Sequence, residues 1–299
     1  MGDGRPLDPE TARRVAALAL RVDQAVEGVL TGMHRSPHRG ASVVFVEHRE
    51  YRPGDDPRLL DWKAFARTDR HVIKRFEQET QLRATLLIDR SASMNWDGWS
   101  ERGPSKHAHA AELLAAIAYL LIRQGDAVGV AGFDTALHDD ALPPRSRPAH
   151  LDEVFGRLVR RPQPEARTDL ARSLREVTER AGRRGLVALA SDLLDPRHGL
   201  ETLAQLVARG HRVLVFHVMH RDELELPDPG PARIVGLEGE GPVDFDGGPL
   251  RDLYQQELAA FLADRQRRCT AAGARYVLAP TDVPAARTLA AVLGPRSRR

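Results

Sequence analysis

The decapeptide Thr85-Leu86-Leu87-Ile88-Asp89-Arg90-Ser91-Ala92-Ser93-Met94 decides how this chain folds. A short apolar run breaks into one carboxylate and two hydroxyls at alternate positions. A run too short for a helix and bounded by polar punctuation reads as a strand buried on both faces. Similar runs recur at Ala127–Phe133, Leu186–Ala190, Val213–His217 and Arg275–Leu278. Helical patterns at 105–123, 149–159, 169–182, 199–208 and 250–272 separate them, and a last one covers 283–292. This alternation predicts an α/β fold: a doubly wound, mostly parallel sheet with helices on both faces. Phe133-Asp134-Thr135-Ala136 is short enough for a hairpin, so Leu137–Leu142 is expected as an antiparallel edge strand beside 127–133. Residues 227–249, rich in Pro, Gly and Asp, read as a surface excursion with room for two short strands.

Upstream the texture differs. Val15, Leu18, Val22, Val26 and Val29 recur at helical steps within 8–30, and a Gly/Pro/His-rich loop follows to Gly40. Ser42–Val46 and His71–Glu79 have strand character. Between them RPGDDPR reads as a turn and LLDWKAFAR as a short helix. The expected organisation is an N-terminal helix and β-rich segment over 1–82, packed on a main domain over 83–295.

Composition narrows the function classes. Charged residues make up 29% of the 299, but the formal net charge is only +2. No global field therefore drives the chain onto nucleic acid or an acidic membrane. All but three of the 44 basic residues are arginine, which lifts the isoelectric point without making a basic protein. The lone Cys269 excludes an internal disulfide framework and a cysteine zinc site, and reads as a small packed hydrophobe. No apolar run approaches the ~20 residues of a membrane helix. The opening MGDGRPLDPETARR has no apolar core behind a basic start, so a signal peptide is not expected and the cytoplasm is.

Chemistry concentrates at the strand ends. In a doubly wound sheet, ligands sit outside the carboxyl ends of the strands. Asp89, Ser91 and Ser93 form a tight loop of oxygen donors, the ligand type hard cations such as Mg²⁺ prefer. Arg167-Thr168-Asp169-Leu170 puts the Thr168 hydroxyl just before a helix, and Ser191-Asp192 ends the strand that begins at Leu186. Each loop has an ordinary reading as a cap or turn. Three oxygen-bearing loops in this order are harder to explain as three independent caps.

The loops DRSAS, RTDL and ASDLLD resemble the metal-ion-dependent adhesion site of von Willebrand factor type A domains. That resemblance, over roughly 83–292, implies a Rossmann-like fold. It also implies Ser91, Ser93 and Thr168 near a Mg²⁺ ion, which Mn²⁺ can replace, with Asp89 and Asp192 holding it directly or through water. Arg90 and Met94 occupy positions the motif leaves free. The upstream REYRPGDDPRLLDWKAFART (49–68) and VIKRFEQE (72–79) resemble the signature of a bacterial family, the domain of unknown function numbered fifty-eight. Its members carry a type A domain behind that signature and are commonly encoded beside MoxR-type AAA+ ATPases. The resemblance implies a chaperone-like or assembly role with such an ATPase or its client. The signature's own charges, Arg52, Asp55, Asp56, Arg58, Asp61, Lys63 and Arg67, read either as an internal ion-pair network anchored by Trp62 and Phe65 or as a docking surface.

The expected function is a non-catalytic, metal-dependent protein-binding module whose partner supplies an acidic residue to the cation. The alternative is a Mg²⁺-dependent phosphohydrolase with Asp89 as nucleophile. Against it, a serine stands where a second carboxylate would be, and no general acid or base is evident. Lys106, more than ten residues beyond the first loop, has no evident role, so no lysine is expected near the three loops. His107-x-His109 and His217-x-x-His220 lack partners at metal spacing and read as packed or solvated. No Gly-rich phosphate loop and no Gly-x-Ser-x-Gly elbow follows any strand.

Overall fold

The computed structural model describes residues 13, 17, 19 and 22, then 45–50, 72–76, 82–100, 103–164, 166–182, 184–195, 199–227, 232–238, 241–245 and 247–293. The expected short helix at LLDWKAFAR and the alternating charges of 52–67 lie outside these residues. Two compact units emerge, one of residues 1–36 with 82–299 and one of residues 37–81. In the smaller unit β1 (Phe45–Glu50) pairs antiparallel with β2 (Val72–Phe76), with a register break between Phe45 and Glu47.

The larger unit is built on a six-stranded sheet. Its strands are β3 (Arg83–Asp89), β4 (Ala127–Phe133), β5 (Leu142–Arg145), β6 (Leu186–Ser191), β7 (Arg212–Met219) and β10 (Arg275–Pro280), in the spatial order β10-β7-β6-β3-β4-β5. All neighbours are parallel except β4 and β5. β8 (Ala232–Ile234) and β9 (Val243–Phe245) form a separate antiparallel pair within the 227–249 excursion. The helices are α1 (Lys106–Arg123), α2 (His150–Leu158), α3 (Leu170–Arg180), α4 (Leu203–Ala208), α5 (Arg221–Glu225), α6 (Gly247–Ala271) and α7 (Ala285–Leu293).

Strand alternation sorts the core into two layers, because successive side chains point to opposite faces. Leu86, Ile88, Val128, Val130, Ala188, Ala190, Leu214 and Phe216 pack with buried residues of α1, α2 and α7, and with Val22. Leu87, Ala131, Phe133, Val187, Leu189, Val213 and Val215 pack with α3, α4 and Cys269 of α6. Each central strand is thus apolar on both sides, as the uninterrupted runs require. Burial pushes the Cys269 thiol up to about 11, which leaves it a packed hydrophobe.

One expectation about the edge is corrected. Leu137 makes only an isolated bridge to Phe133, and the edge strand begins at Leu142, where Leu137–Leu142 was expected to end. Its two prolines are tolerated there because an edge strand has one side with no ladder to complete. The bend at 139–140 has another use. Arg90, buried beneath it, reaches Asp140 at 3.1 Å and the Arg157 carbonyl at 2.7 Å. A Cβ on Gly132 would lie 2.3 Å from that guanidinium. Arg90, free in the sequence pattern, is therefore the clamp between the first loop and the edge hairpin.

Candidate functional site

The strand order changes direction at β3, whose neighbours are β4 on one side and β6 on the other. The crevice between the carboxyl ends of β3 and β6 is the topological switch point, where ligands of open α/β sheets bind. Asp89 and Ser191, the last residues of these strands, are wholly buried there. Asp89 Oδ1 accepts the Ser91 N–H at 2.8 Å, and its Oδ2 accepts the Ser191 hydroxyl at 2.5 Å. The Ser91 and Ser93 hydroxyls lie 3.1 Å apart, and Ser93 is among the groups that favour the ionised form of Asp192.

Asp192 begins the turn after β6. Its Oδ1 accepts the Leu194 N–H at 3.2 Å, while Leu193 between them is buried at a left-handed φ of 56°. A branched side chain in that region stores about 1–3 kcal/mol of backbone strain. The Thr168 loop is stitched to the first by the Ala92 N–H, which donates to the Ala166 carbonyl at 2.8 Å. Asp169 is the N-cap of α3, accepting the Arg172 N–H at 3.0 Å. Thr168 therefore does not cap. Its hydroxyl is buried with no hydrogen-bond partner, a rare condition for a buried polar atom.

Lys106, the first residue of α1, corrects the expectation that no lysine approaches these loops. Its Nζ donates to Asp192 Oδ2 at 2.7 Å and to Glu223 Oε1 at 2.6 Å, and the side chain is 1% exposed. A cation at a helix N-terminus opposes the macrodipole, so the two carboxylates hold it there. The sequence carried one signal. In a chain that otherwise uses arginine, a lysine opening a helix supplies a compact charge that a guanidinium fork does not.

The two site carboxylates diverge electrostatically. Burial and the nearby Asp192 carboxylate push Asp89 up to about 7, against the pull of its Ser191 and Ser91 hydrogen bonds. Burial also acts to raise Asp192, but Lys106 outweighs it and holds Asp192 below the usual carboxylate range. The two loops therefore present one firmly ionised carboxylate and one that resists ionisation.

The surroundings are rigid on one side. His220 caps α5, and Glu223 Oε2 accepts the His220 N–H at 2.7 Å in return. Asp222, buried, accepts the N–H groups of Trp99 and Ser100 at 2.7 and 2.8 Å and the Ser100 hydroxyl at 2.5 Å. Gly98, at φ +87°, has no room for a Cβ, which would overlap the His220 ring. Trp99, edge-on to Trp96, is thereby held 50% exposed, and Leu194 of the Asp192 loop is 41% exposed. The paired histidines are packed. His217 bonds the Tyr276 hydroxyl at 2.7 Å, and burial lowers both His217 and His109 to about 4, keeping them neutral.

Asp89, Ser91 and Ser93 are thus joined by direct hydrogen bonds, Asp192 lies close enough to act on Asp89 through its charge, and Thr168 is on a loop bonded to the first. The set is all oxygen, which suits a hard cation, and the unpartnered Thr168 hydroxyl is an oxygen with no hydrogen bond elsewhere in the protein. Among the described residues no group of three or more His, Cys, Asp or Glu is placed to hold a metal. A cation here would rest on hydroxyls.

A family model described as "Protein of unknown function DUF58" matches residues 47–263. Uncharacterized proteins of Mycobacterium tuberculosis and Mycobacterium bovis are 31% identical over 278 residues, 92% of this chain and 86% of theirs. Among solved structures, the conserved hypothetical protein BatB from Bacteroides thetaiotaomicron aligns with a TM-score of 0.45 at 16% identity, covering 71% of this chain and 97% of its own. An aerotolerance-related membrane protein from Bacteroides fragilis aligns at 0.40 and 16% identity, covering 69% and 95%. No helix among the described residues is long and apolar enough to cross a membrane.

Proposed function

The chain belongs to the DUF58 family of proteins of unknown function, and from that premise we propose a non-catalytic protein-binding module that works through a divalent cation. In this reading the larger unit is a von Willebrand factor type A-like domain. Ser91, Ser93 and Thr168 hold Mg²⁺, or Mn²⁺ in its place, with Asp89 and Asp192 directly or through water. The cation supplies a Lewis-acidic position to which an outside carboxylate binds. The observation that carries the reading is the Thr168 hydroxyl, buried and unpartnered beside an all-oxygen set at the switch point. Three neutral hydroxyls leave much of the ion's charge unquenched, so an Asp or Glu is the favoured guest.

The partner in this reading is a MoxR-type AAA+ ATPase or its client, in protein assembly or maturation. The half-exposed Trp99 and Leu194 beside the site are the kind of rigid apolar anchors on which interfaces concentrate binding energy. The test is a pull-down by the tagged full chain with the purified ATPase. Capture in Mg²⁺, loss in EDTA and loss with Ser91→Ala/Thr168→Ala support the reading. Capture that is equal in EDTA removes the cation from the interface.

A second reading, a Mg²⁺-dependent phosphohydrolase with Asp89 as nucleophile, gains from Lys106, a cation its chemistry could use. Two observations weigh against it. Lys106 is already bonded to Asp192 and Glu223, and both Asp89 oxygens accept hydrogen bonds. Steady Mg²⁺-dependent release of phosphate from p-nitrophenyl phosphate, abolished by Asp89→Asn, would favour it.

A further inference from the structure

Lys106 shares one ammonium between two carboxylates of different standing. Asp192 belongs to the set assigned to the cation, whereas Glu223 does not. It sits on α5, where its other oxygen completes the capping box with His220. The two bonds are nearly equal, 2.7 Å to Asp192 and 2.6 Å to Glu223, and the ammonium is sealed from solvent. Water therefore does not screen it from what lies on the far side of Asp192.

An ammonium at that position acts on an incoming divalent ion in two ways. It occupies Asp192 Oδ2, so that oxygen has one lone pair fewer to offer an ion or its bound water. It also sets a like charge against the ion at short range in a site of low dielectric, where such repulsion is strong. Glu223 works in the opposite sense, as an alternative acceptor that draws the ammonium towards α5.

On the reading of this site as a cation site, we propose that Lys106 is a tethered competitor of the divalent ion for Asp192. The site fills as the ammonium is drawn onto Glu223, and the Lys106–Glu223 pair sets the cation affinity. An ordinary stabilising ion pair does not predict this. Loss of its two ends would weaken the site in the same direction, whereas a competitor and its alternative acceptor act in opposite directions.

The experiment is a Mn²⁺ titration of the full chain, followed by the paramagnetic resonance signal of the free ion, which reads occupancy without any activity. Lys106→Met is expected to bind Mn²⁺ roughly tenfold more tightly than wild type, because the competing charge is gone. Glu223→Gln is expected to bind roughly threefold more weakly, because the ammonium loses its alternative and stays on Asp192. Lys106→Gln, which keeps a donor for Asp192 without the charge, is expected to tighten binding too and serves if the methionine variant does not fold. Lysine variants that bind no tighter than wild type, or a Glu223→Gln that binds more tightly, overturn the competition while leaving the cation reading intact. Wild type and all variants failing to bind Mn²⁺ would remove the cation reading, and this inference with it.

Discussion

The Ser191 hydroxyl donates to Asp89 Oδ2 across 2.5 Å, joining the last residue of β6 to the last residue of β3. It is the direct side-chain link between the two strand ends that bound the switch point. Its donor also accepts the Leu193 N–H at 3.0 Å, so one hydroxyl fixes both the carboxylate and the turn that aims Asp192. Ser191→Ala should cost about 1–3 kcal/mol in urea unfolding, since it leaves a buried acceptor and a buried N–H unpaired. The loss should be smaller in an Asp89→Asn background, whose neutral amide needs the donor less. Equal losses in the two backgrounds would show that the hydroxyl serves only the turn.

Asp89 makes the metal-free protein sensitive to pH. Its folded carboxyl is pushed up to about 7 from an ordinary value of 3.8. A raised carboxyl binds its proton in the folded state and not in the unfolded one between these values. Its contribution therefore falls as pH rises through that window. Neutral buried His109 and His217, lowered to about 4, act oppositely as pH falls below the ordinary imidazole range. The comparison with Asp89→Asn isolates the carboxyl. In EDTA the variant should gain melting temperature relative to wild type between pH 5 and pH 8. A constant gap would mean that Asp89 ionises normally.

Thr168 offers a cleaner separation of metal from folding. Its hydroxyl is buried without a hydrogen-bond partner within the protein, so removing it forfeits no hydrogen bond. Thr168→Val should match or exceed wild type in melting temperature in EDTA. On the cation reading, Mg²⁺ should raise the wild-type melting temperature by binding the folded state selectively, and the variant should fail to show that rise. A full Mg²⁺ response in the variant would exclude Thr168 from the cation.

Asp222 holds the Trp99 loop through three hydrogen bonds from within the protein. Asp222→Ala should cost about 2–4 kcal/mol, by orphaning two main-chain N–H groups and a hydroxyl. It should also speed amide exchange at Trp99 and Ser100. Trp99→Ala, by contrast, removes a half-exposed side chain and should leave stability within about 0.5 kcal/mol while weakening capture of the proposed partner. Exchange at 99–100 that is unchanged in Asp222→Ala would show that the loop is held by Gly98 and the Trp96 ring instead.

How much of this was legible beforehand follows from the range of each interaction. Ala127–Phe133 is a strand because every side chain in it is apolar and both faces are covered, a condition written locally in the run itself. The Asp89 loop was visible because a short apolar run ending in a carboxylate and spaced hydroxyls is a local pattern. The edge strand was misplaced by a few residues because its start is set by pairing with β4 across the sheet, and the stretch before it is tied instead to Arg90 through Asp140, a contact neither residue announces. The Thr168 hydroxyl was open to an ordinary reading as a cap until Asp169 proved to take that role.

By itself the sequence determined the alternation of strands and helices, the oxygen-rich loops at three element ends, and the family to which the signature belongs. These rest on contiguous residues, where side-chain type and period act within a turn or a strand. Tertiary structure alone decided that Lys106 meets Asp192 86 positions away and Glu223 117 away, and that Asp222 secures Trp99. Such contacts depend on which strands become neighbours in the sheet. Burial then turns each into a strong interaction, because a charge removed from water must find its partner wherever the fold has brought one.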